Sequence, residues 1–290
     1  LGNPYVRLTL IAAIWGSCWV AASALARDGV PAIHASLGRF AFGSIGLLVA
    51  LAGVRPWPRP TGRQWVHLAA MGFFGVFLYN ISFFNGLRTV PAGRASLMAT
   101  LQPSLVFVYA CLFWGEKPTL RKLSGLLLSL LGAATVLTQA SPAQLFRTGL
   151  GSGDLWILGT AISWVAYTLI GRRVAGALAS LPATAYAVWL GFAMLFAFSV
   201  FTGEGLPDFS NTSLWLVSGY LGLLGTSLAF CLYLRGIEQV GAAKASIFIN
   251  LVPVFGVLTS NLFLAEPVTW ATVAGGLTAL AGVRLLTMSR

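Results

Sequence analysis

Residues Ala95–Pro118 read ASLMATLQPSLVFVYACLFWGEKP, and residues Ala245–Pro267 read ASIFINLVPVFGVLTSNLFLAEP. At a constant offset, Ala95-Ser96 meets Ala245-Ser246, Pro103 meets Pro253 and Glu116 meets Glu266. The overlay extends without a gap over Trp65–Gly132 against Trp215–Gly282. Along it Trp65 meets Trp215, Gly72 meets Gly222, Gly75 meets Gly225, Gly86 meets Gly236, and Gly125 and Gly132 meet Gly275 and Gly282. A period of this length in an apolar chain predicts two structural halves.

The solvent of those halves follows from composition. Of 290 residues, 57% are hydrophobic and 9% charged, with a mean hydropathy of +0.83. A soluble domain carries roughly 25% charge, so this chain lacks the groups to face water. A spanning helix needs about 20 apolar residues. Such stretches fall near 6–26, 32–53, 63–88, 92–114, 119–139, 153–172, 183–202, 211–236, 241–264 and 268–287. Transmembrane strands would instead give short alternating segments, which the sequence lacks. The fold class is therefore all-α: ten transmembrane helices.

The net charge of +11 is a topology signal rather than a nucleic-acid footprint. With a cytoplasmic N-terminus and alternating spans, the inner side collects Arg7, Arg55, Arg59, Arg63, Lys117, Arg121, Lys122, Arg172, Arg173, Arg235, Lys244, Arg284 and Arg290. The outer side keeps Arg27, Arg88, Arg94 and Arg147. That bias places both termini in the cytoplasm. Each half then holds five spans, residues 1–140 and 153–290, joined by a linker at 141–152. Five is odd, so the second half enters from the opposite side and the repeat is inverted. Such transporters bind solute near the bilayer midplane, between the halves.

Arg7, an apolar run and Ala24-Leu25-Ala26 mimic a signal peptide. Trp15-Gly16-Ser17 and Trp19 suit a structured helix instead, and the repeat requires one. Cys18, Cys111 and Cys231 lie apart within apolar spans and read as small buried hydrophobes. No metal-ligand spacing, cofactor motif or nucleophile–base pair is present, so neither an enzyme nor a bound metal or cofactor is expected.

Pro103 and Pro253 fall mid-span. Proline lacks an N–H, so each should deprive the carbonyl four residues earlier, on Ala99 and Ile249, of its helical partner. In hydrocarbon such a carbonyl must face protein, water or solute. Ser96 and Thr100 precede Pro103, and Ser246 and Asn250 precede Pro253, at spacings that share one helix face. The plain alternative is a packing kink with hydroxyls bonded back to their own helix.

Rings crowd the same depth. Tyr79 and Phe83 share a face; so do Thr226, Phe230 and Tyr233; Trp15 lies with Trp19, and Trp164 with Tyr167. Core packing explains any one ring, but together they suit a cavity for a small organic solute. Trp57, Trp65, Trp114, Trp215 and Trp270 fit the membrane interfaces instead. Arg39 is the charge well inside a span, a costly placement that points to function by default. Bonding carbonyls at a helix end and attracting a solute carboxylate both remain open to it. Glu116 and Glu266 should cap the helices that follow them. Gly125 with Ser129 and Gly275 with Ala279 fit either a dimer seam or close packing within one bundle.

The chain resembles the EamA branch of the drug/metabolite transporter superfamily over essentially its whole length. Ile14-Trp15-Gly16-Ser17 is similar to the family's opening signature and Arg39-Phe40 to its second-span Arg-Phe. Gly86-Leu87-Arg88-Thr89, Ala92-Gly93-Arg94-Ala95-Ser96, Gln102-Pro103 and Gly115-Glu116-Lys117 follow in order. The second half answers with Gly225-Thr226, Val240-Gly241-Ala242-Ala243-Lys244-Ala245-Ser246, Val252-Pro253 and Ala265-Glu266-Pro267. Family members often carry an acidic residue before that second proline; here Val252 stands there, so coupling through this position does not carry over. The resemblance implies a cavity formed by spans 1, 3, 4, 6, 8 and 9 and export of metabolites. The ring-rich midplane is similar to bacterial exporters of aromatic amino acids.

The expectation is thus a multi-pass exporter in the bacterial inner membrane, with a small-molecule solute, no nucleic-acid partner and a monomer plausible. Trp15, Tyr79, Phe83, Trp164, Tyr167, Thr226 and Phe230 are expected to contact the solute, with Ser96, Thr100, Ser246 and Asn250 taking its polar groups. Pro103 and Pro253 are the expected hinges. An exporter of drugs or other metabolites would use the same cavity. A membrane scaffold without transport would have no need of broken helices.

Overall fold

The computed structural model describes residues 3–53, 57–113, 115–139, 150–174, 177–208, 210–241, 245 and 248–287. Every element named among them is helical. In chain order they are α1 (Pro4–Arg27), α2 (Ala32–Ala52), α3 (Gly62–Leu87), α4 (Ala92–Phe113), α5 (Leu120–Thr138), α6 (Ser152–Val174), α7 (Ser180–Phe201), α8 (Thr212–Val240), α9 (Val252–Leu264) and α10 (Trp270–Thr287). Nine of these are long and apolar enough to cross a membrane, and α9 is a shorter apolar helix of 13 residues. The sequence places these elements to within a few residues, except the front of α9. Trp114, Arg55, Arg147, Lys244, Ser246, Arg290 and most of the 141–152 linker lie outside the described residues.

Start signals are local. Asn3 accepts from the Tyr5 N–H, and Thr61 and Gln64 form a reciprocal capping box that opens α3. Pro31 and Pro91 stand just ahead of α2 and α4, where a missing N–H leaves no helical bond unmade. Leu112, Leu120, Phe201 and Leu216 remain exposed on the bundle's outside. Apolar surface on that scale is matched to lipid rather than water.

The repeated glycines set the helix crossings. A Cβ on Gly132 would lie 2.3 Å from the Ala279 nitrogen and 2.5 Å from the Gly275 oxygen. One on Gly282 would lie 2.3 Å from the Ser129 nitrogen and 2.6 Å from the Gly125 oxygen. Gly125 therefore meets Gly282 and Gly132 meets Gly275, so α5 and α10 run antiparallel at backbone contact. This seam belongs to the interior of one bundle, not to a dimer interface.

A second reciprocal pair involves α3 and α8. Gly72 of α3 meets Gly191 of α7, while Gly222 of α8 meets Gly43 of α2. At both crossings the helix widens into a π segment, Phe73–Leu78 in α3 and Tyr220–Leu228 in α8. The hydroxyls of Thr226 and Ser227 donate to the Leu221 and Gly222 carbonyls, five residues back, as the wider turn allows. Nothing in the sequence periodicity announced these segments. Gly75 and Gly225 lie inside them, packed under Tyr167 and Cys18 respectively.

Candidate functional site

A cavity of about 240 Å³ opens between α1, α2, α3, α4, α6, α7, α8, α9 and α10. Two aromatic groups face it. Trp15 of α1 packs edge-on against Phe230 and Tyr233 of α8, with ring centroids 5.6 and 5.4 Å apart. Its indole N–H donates to the Gly225 carbonyl at 2.9 Å, so the ring is held in place. In the other group, Tyr79 of α3 lies 5.7 Å from Trp164 of α6, Trp164 lies 5.2 Å from Tyr167, and Phe83 stacks on Tyr79 at 5.8 Å. Trp19 meets Phe83 edge-on at 4.8 Å.

Of the residues singled out in the sequence, Trp15, Arg39, Tyr79, Phe83, Thr100, Pro103, Trp164, Tyr167, Thr226, Phe230, Asn250 and Pro253 all line this cavity. Ser96 does not. It is fully buried against Gly256 of α9, and its hydroxyl donates to the Gly93 carbonyl at 2.8 Å. The expected shared face fails because α4 is interrupted at Ala99–Thr100, between Met98 and Leu101. There the Thr100 and Gln102 N–H groups reach back three residues, to Leu97 and Ala99. A tighter turn rotates the chain further per residue, so Ser96 and Thr100 part company.

The same turn corrects the account of the prolines. The Ala99 carbonyl, expected to be left open, accepts from the Gln102 N–H at 3.1 Å. Pro103 is the third residue of the helical segment Leu101–Phe113, and Pro253 stands in the first turn of α9. Neither sits as a mid-helix kink. In a first turn the N–H has no helical partner to lose. Thr100 donates its hydroxyl to Leu97 at 2.7 Å, which fits the plainer reading of that side chain.

Several lining residues were not expected at the site: Asn80, Gln102 and Thr184, and Cys18, which is buried as expected but also lines the cavity. The side-chain amides of Gln102 and Asn250 bond no group among the described residues. Asn80 has a defined role. It is 1% exposed, its NH2 donates to the Val76 carbonyl at 2.8 Å, and its carbonyl accepts from Arg39 Nη1 at 3.1 Å. Arg39 Nε donates to Thr226 Oγ1 at 3.3 Å. The guanidinium also lies over the rings of Phe40 and Phe83, 5.4 and 6.0 Å from their centroids. Arg39 thus bonds side chains of α3 and α8, not carbonyls at a helix end. No pattern in the sequence marks Asn80, because its partner Arg39 is on another helix.

One end of the bundle is tied by charge. α1 and α9 finish where α4 and α6 begin. There Glu266 accepts from the N–H groups of Ala92 and Gly93 at 3.0 and 3.1 Å and pairs with Arg27. Arg94 pairs with Asp154 at 2.8 Å. Glu266 therefore caps α4 rather than the helix after it; its carboxylate answers the partial positive charge of that helix end. Glu116 pairs with Lys122 of α5. His34 and His67 lie outside the cavity lining, and the described residues contain no cluster suited to a metal.

A many-pass helical bundle with a ring-lined chamber defines a membrane protein that handles a small solute. Residues 4–138 and 151–288 match the EamA-like transporter family, and the chain belongs to that family. Its relatives include an uncharacterised transporter of Archaeoglobus fulgidus, 26% identical over 99% of this chain and 100% of that one. The uncharacterised transporter YyaM of Bacillus subtilis is 27% identical over 76% of this chain and 72% of its own. A probable terminal-alkyne amino-acid exporter of Streptantibioticus cattleyicolor is 25% identical over 99% of this chain and 94% of its own. A solved crystal structure shares the fold at 20% identity, with a TM-score of 0.63, over 96% of this chain and 94% of that one. The protein is a multi-pass membrane transporter of the drug/metabolite superfamily, not an enzyme.

Proposed function

We propose that the protein exports amino acids, aromatic ones favoured, from the cytoplasm of a bacterial cell across its inner membrane. It does so by alternating access between two inverted five-helix repeats, residues 1–140 and 153–290, with both termini inside. The observation that carries the substrate reading is the pairing of two aromatic groups, Trp15 with Phe230 and Tyr79 with Trp164, across one cavity. Such walls take up a flat apolar side chain, while Thr100, Asn250 and Gln102 offer a few polar groups to orient it. The amino-acid exporter among the relatives supports the same class.

Support for inversion comes from the seams. The four glycines that repeat in α5 and α10 meet one another crosswise, and α2 crosses α8 as α7 crosses α3. Support for orientation comes from the excess of Arg and Lys on one side. Under that orientation the Glu266 and Asp154 ties close the outer end, and the breaks ahead of Pro103 and Pro253 are where α4 and α9 bend as the ends exchange.

The test is flux from proteoliposomes loaded with labelled phenylalanine or tryptophan. Trp164→Ala should lower export at least tenfold, since it removes a ring shared by Tyr79 and Tyr167. The purified variant should remain monodisperse. Undiminished export of every amino acid tried would sink the cavity assignment.

A further inference from the structure

The chain has seven acidic residues, and none of them lines the cavity. Neither does either histidine. Arg39 stands there as the one formal charge of the lining among the described residues. None of the ion pairs among the described residues involves it. A cation so placed is costly, and neutral hydrogen bonds and ring faces offset that cost only in part.

The way Arg39 is held leaves three of its five N–H groups without a partner among the described residues. Asn80 commits its NH2 to Val76, so its carbonyl must point at Nη1. Thr226 commits its hydroxyl proton to Leu221, so only a lone pair is left for Nε. These two contacts, from α3 and α8, fix the plane of the guanidinium. The remaining N–H groups, two on Nη2 and the second on Nη1, bond nothing among the described residues. Donors thus remain on both terminal nitrogens of a planar fork, and one N–H from each can meet two carboxylate oxygens side by side.

We propose that Arg39 is the carboxylate-binding group of the cavity, so that the solutes carried are organic acids or zwitterions and not amines. This rests on the transport reading above and narrows it. The solute's carboxylate docks on the free Nη1 and Nη2 donors of Arg39 and neutralises the buried charge. Its apolar body then extends between the Trp15–Phe230 and Tyr79–Trp164 walls. Asn80 and Thr226 act as positioning residues. They keep the fork in the plane of the incoming carboxylate without touching the solute.

Equilibrium binding to the purified full-length protein tests this with two stripped-down probes. Hydrocinnamate keeps the ring and carboxylate of phenylalanine and lacks the amine; phenethylamine keeps the ring and amine and lacks the carboxylate. The wild-type protein should bind hydrocinnamate at least tenfold more tightly than phenethylamine. Arg39→Met should abolish that preference, and Arg39→Lys, which keeps the charge but not the fork, should fall between. Equal binding of the two probes by the wild-type protein would overturn the proposal, as would a preference that survives in Arg39→Met. Failure of the wild-type protein to bind either hydrocinnamate or phenylalanine would overturn it too. The wild-type comparison stands by itself if Arg39→Met does not fold. Should hydrocinnamate bind in an Arg39-dependent way while no amino acid is exported, the amino-acid reading falls and the role of Arg39 stands.

Discussion

The α5–α10 seam and the crossings of α3 and α8 both use glycines from the same internal repeat, with opposite results. In the seam, Gly125, Gly132, Gly275 and Gly282 bring two backbones into contact and leave no room between them. In α3 and α8, Gly72 and Gly222 let a neighbour approach from one side. Within or just after the widened π turns, Tyr79, Asn80, Thr226 and Phe230 line the cavity. A repeated glycine reports a crossing, but its neighbours decide whether that crossing closes space or shapes it.

The contrast breaks most sharply when the same methyl is added in both regions. In Gly132→Ala the new Cβ meets backbone atoms of α10 at 2.3 and 2.5 Å, which cannot move without parting the helices. Overpacking of this kind costs roughly 1–3 kcal/mol, enough to lower the thermal midpoint in detergent by several degrees. Glu266→Gln should come next. It keeps the shape of the α4 cap and discards the charge facing Arg27 and two amides. A loss of about 1–2 kcal/mol is expected, visible as faster hydrogen exchange at Ala92 and Gly93. The smallest effect is expected for Gly225→Ala. Its Cβ would meet the Cys18 sulfur at 2.5 Å and no backbone atom closer than 4.0 Å. A side chain can turn aside, and alanine gains about 0.5–1 kcal/mol over glycine within a helix. Stability should therefore be nearly unchanged, and a fall as large as that of Gly132→Ala would erase the distinction between the two regions.

Much of this was legible in the sequence. Span positions followed from hydropathy, and the depth of Trp15, Tyr79, Trp164 and Phe230 from their place within spans. What escaped was geometry that depends on a neighbouring helix. Ser96 shares a sequence pattern with Thr100, yet a local turn at Ala99 separates them. Asn80 gave no signal by type alone, because its meaning comes from Arg39, 41 residues away. Glu266 was read as a cap for the helix after it, the local possibility, whereas its partners lie 173 and 174 residues upstream. Pattern reading finds faces and ends; it does not find which end a carboxylate will reach.

That last contact has a consequence for how the protein is made. During synthesis α4 is in place long before Glu266 leaves the ribosome, so for most of that interval the first amides of α4 lack the partner they hold in the finished molecule. The N-terminal half produced by itself would keep that exposed end permanently. Completion of the first half is thus timed by the last tenth of the chain, and quality control that recognises unpaired polar groups within the bilayer would have α4 to inspect until then.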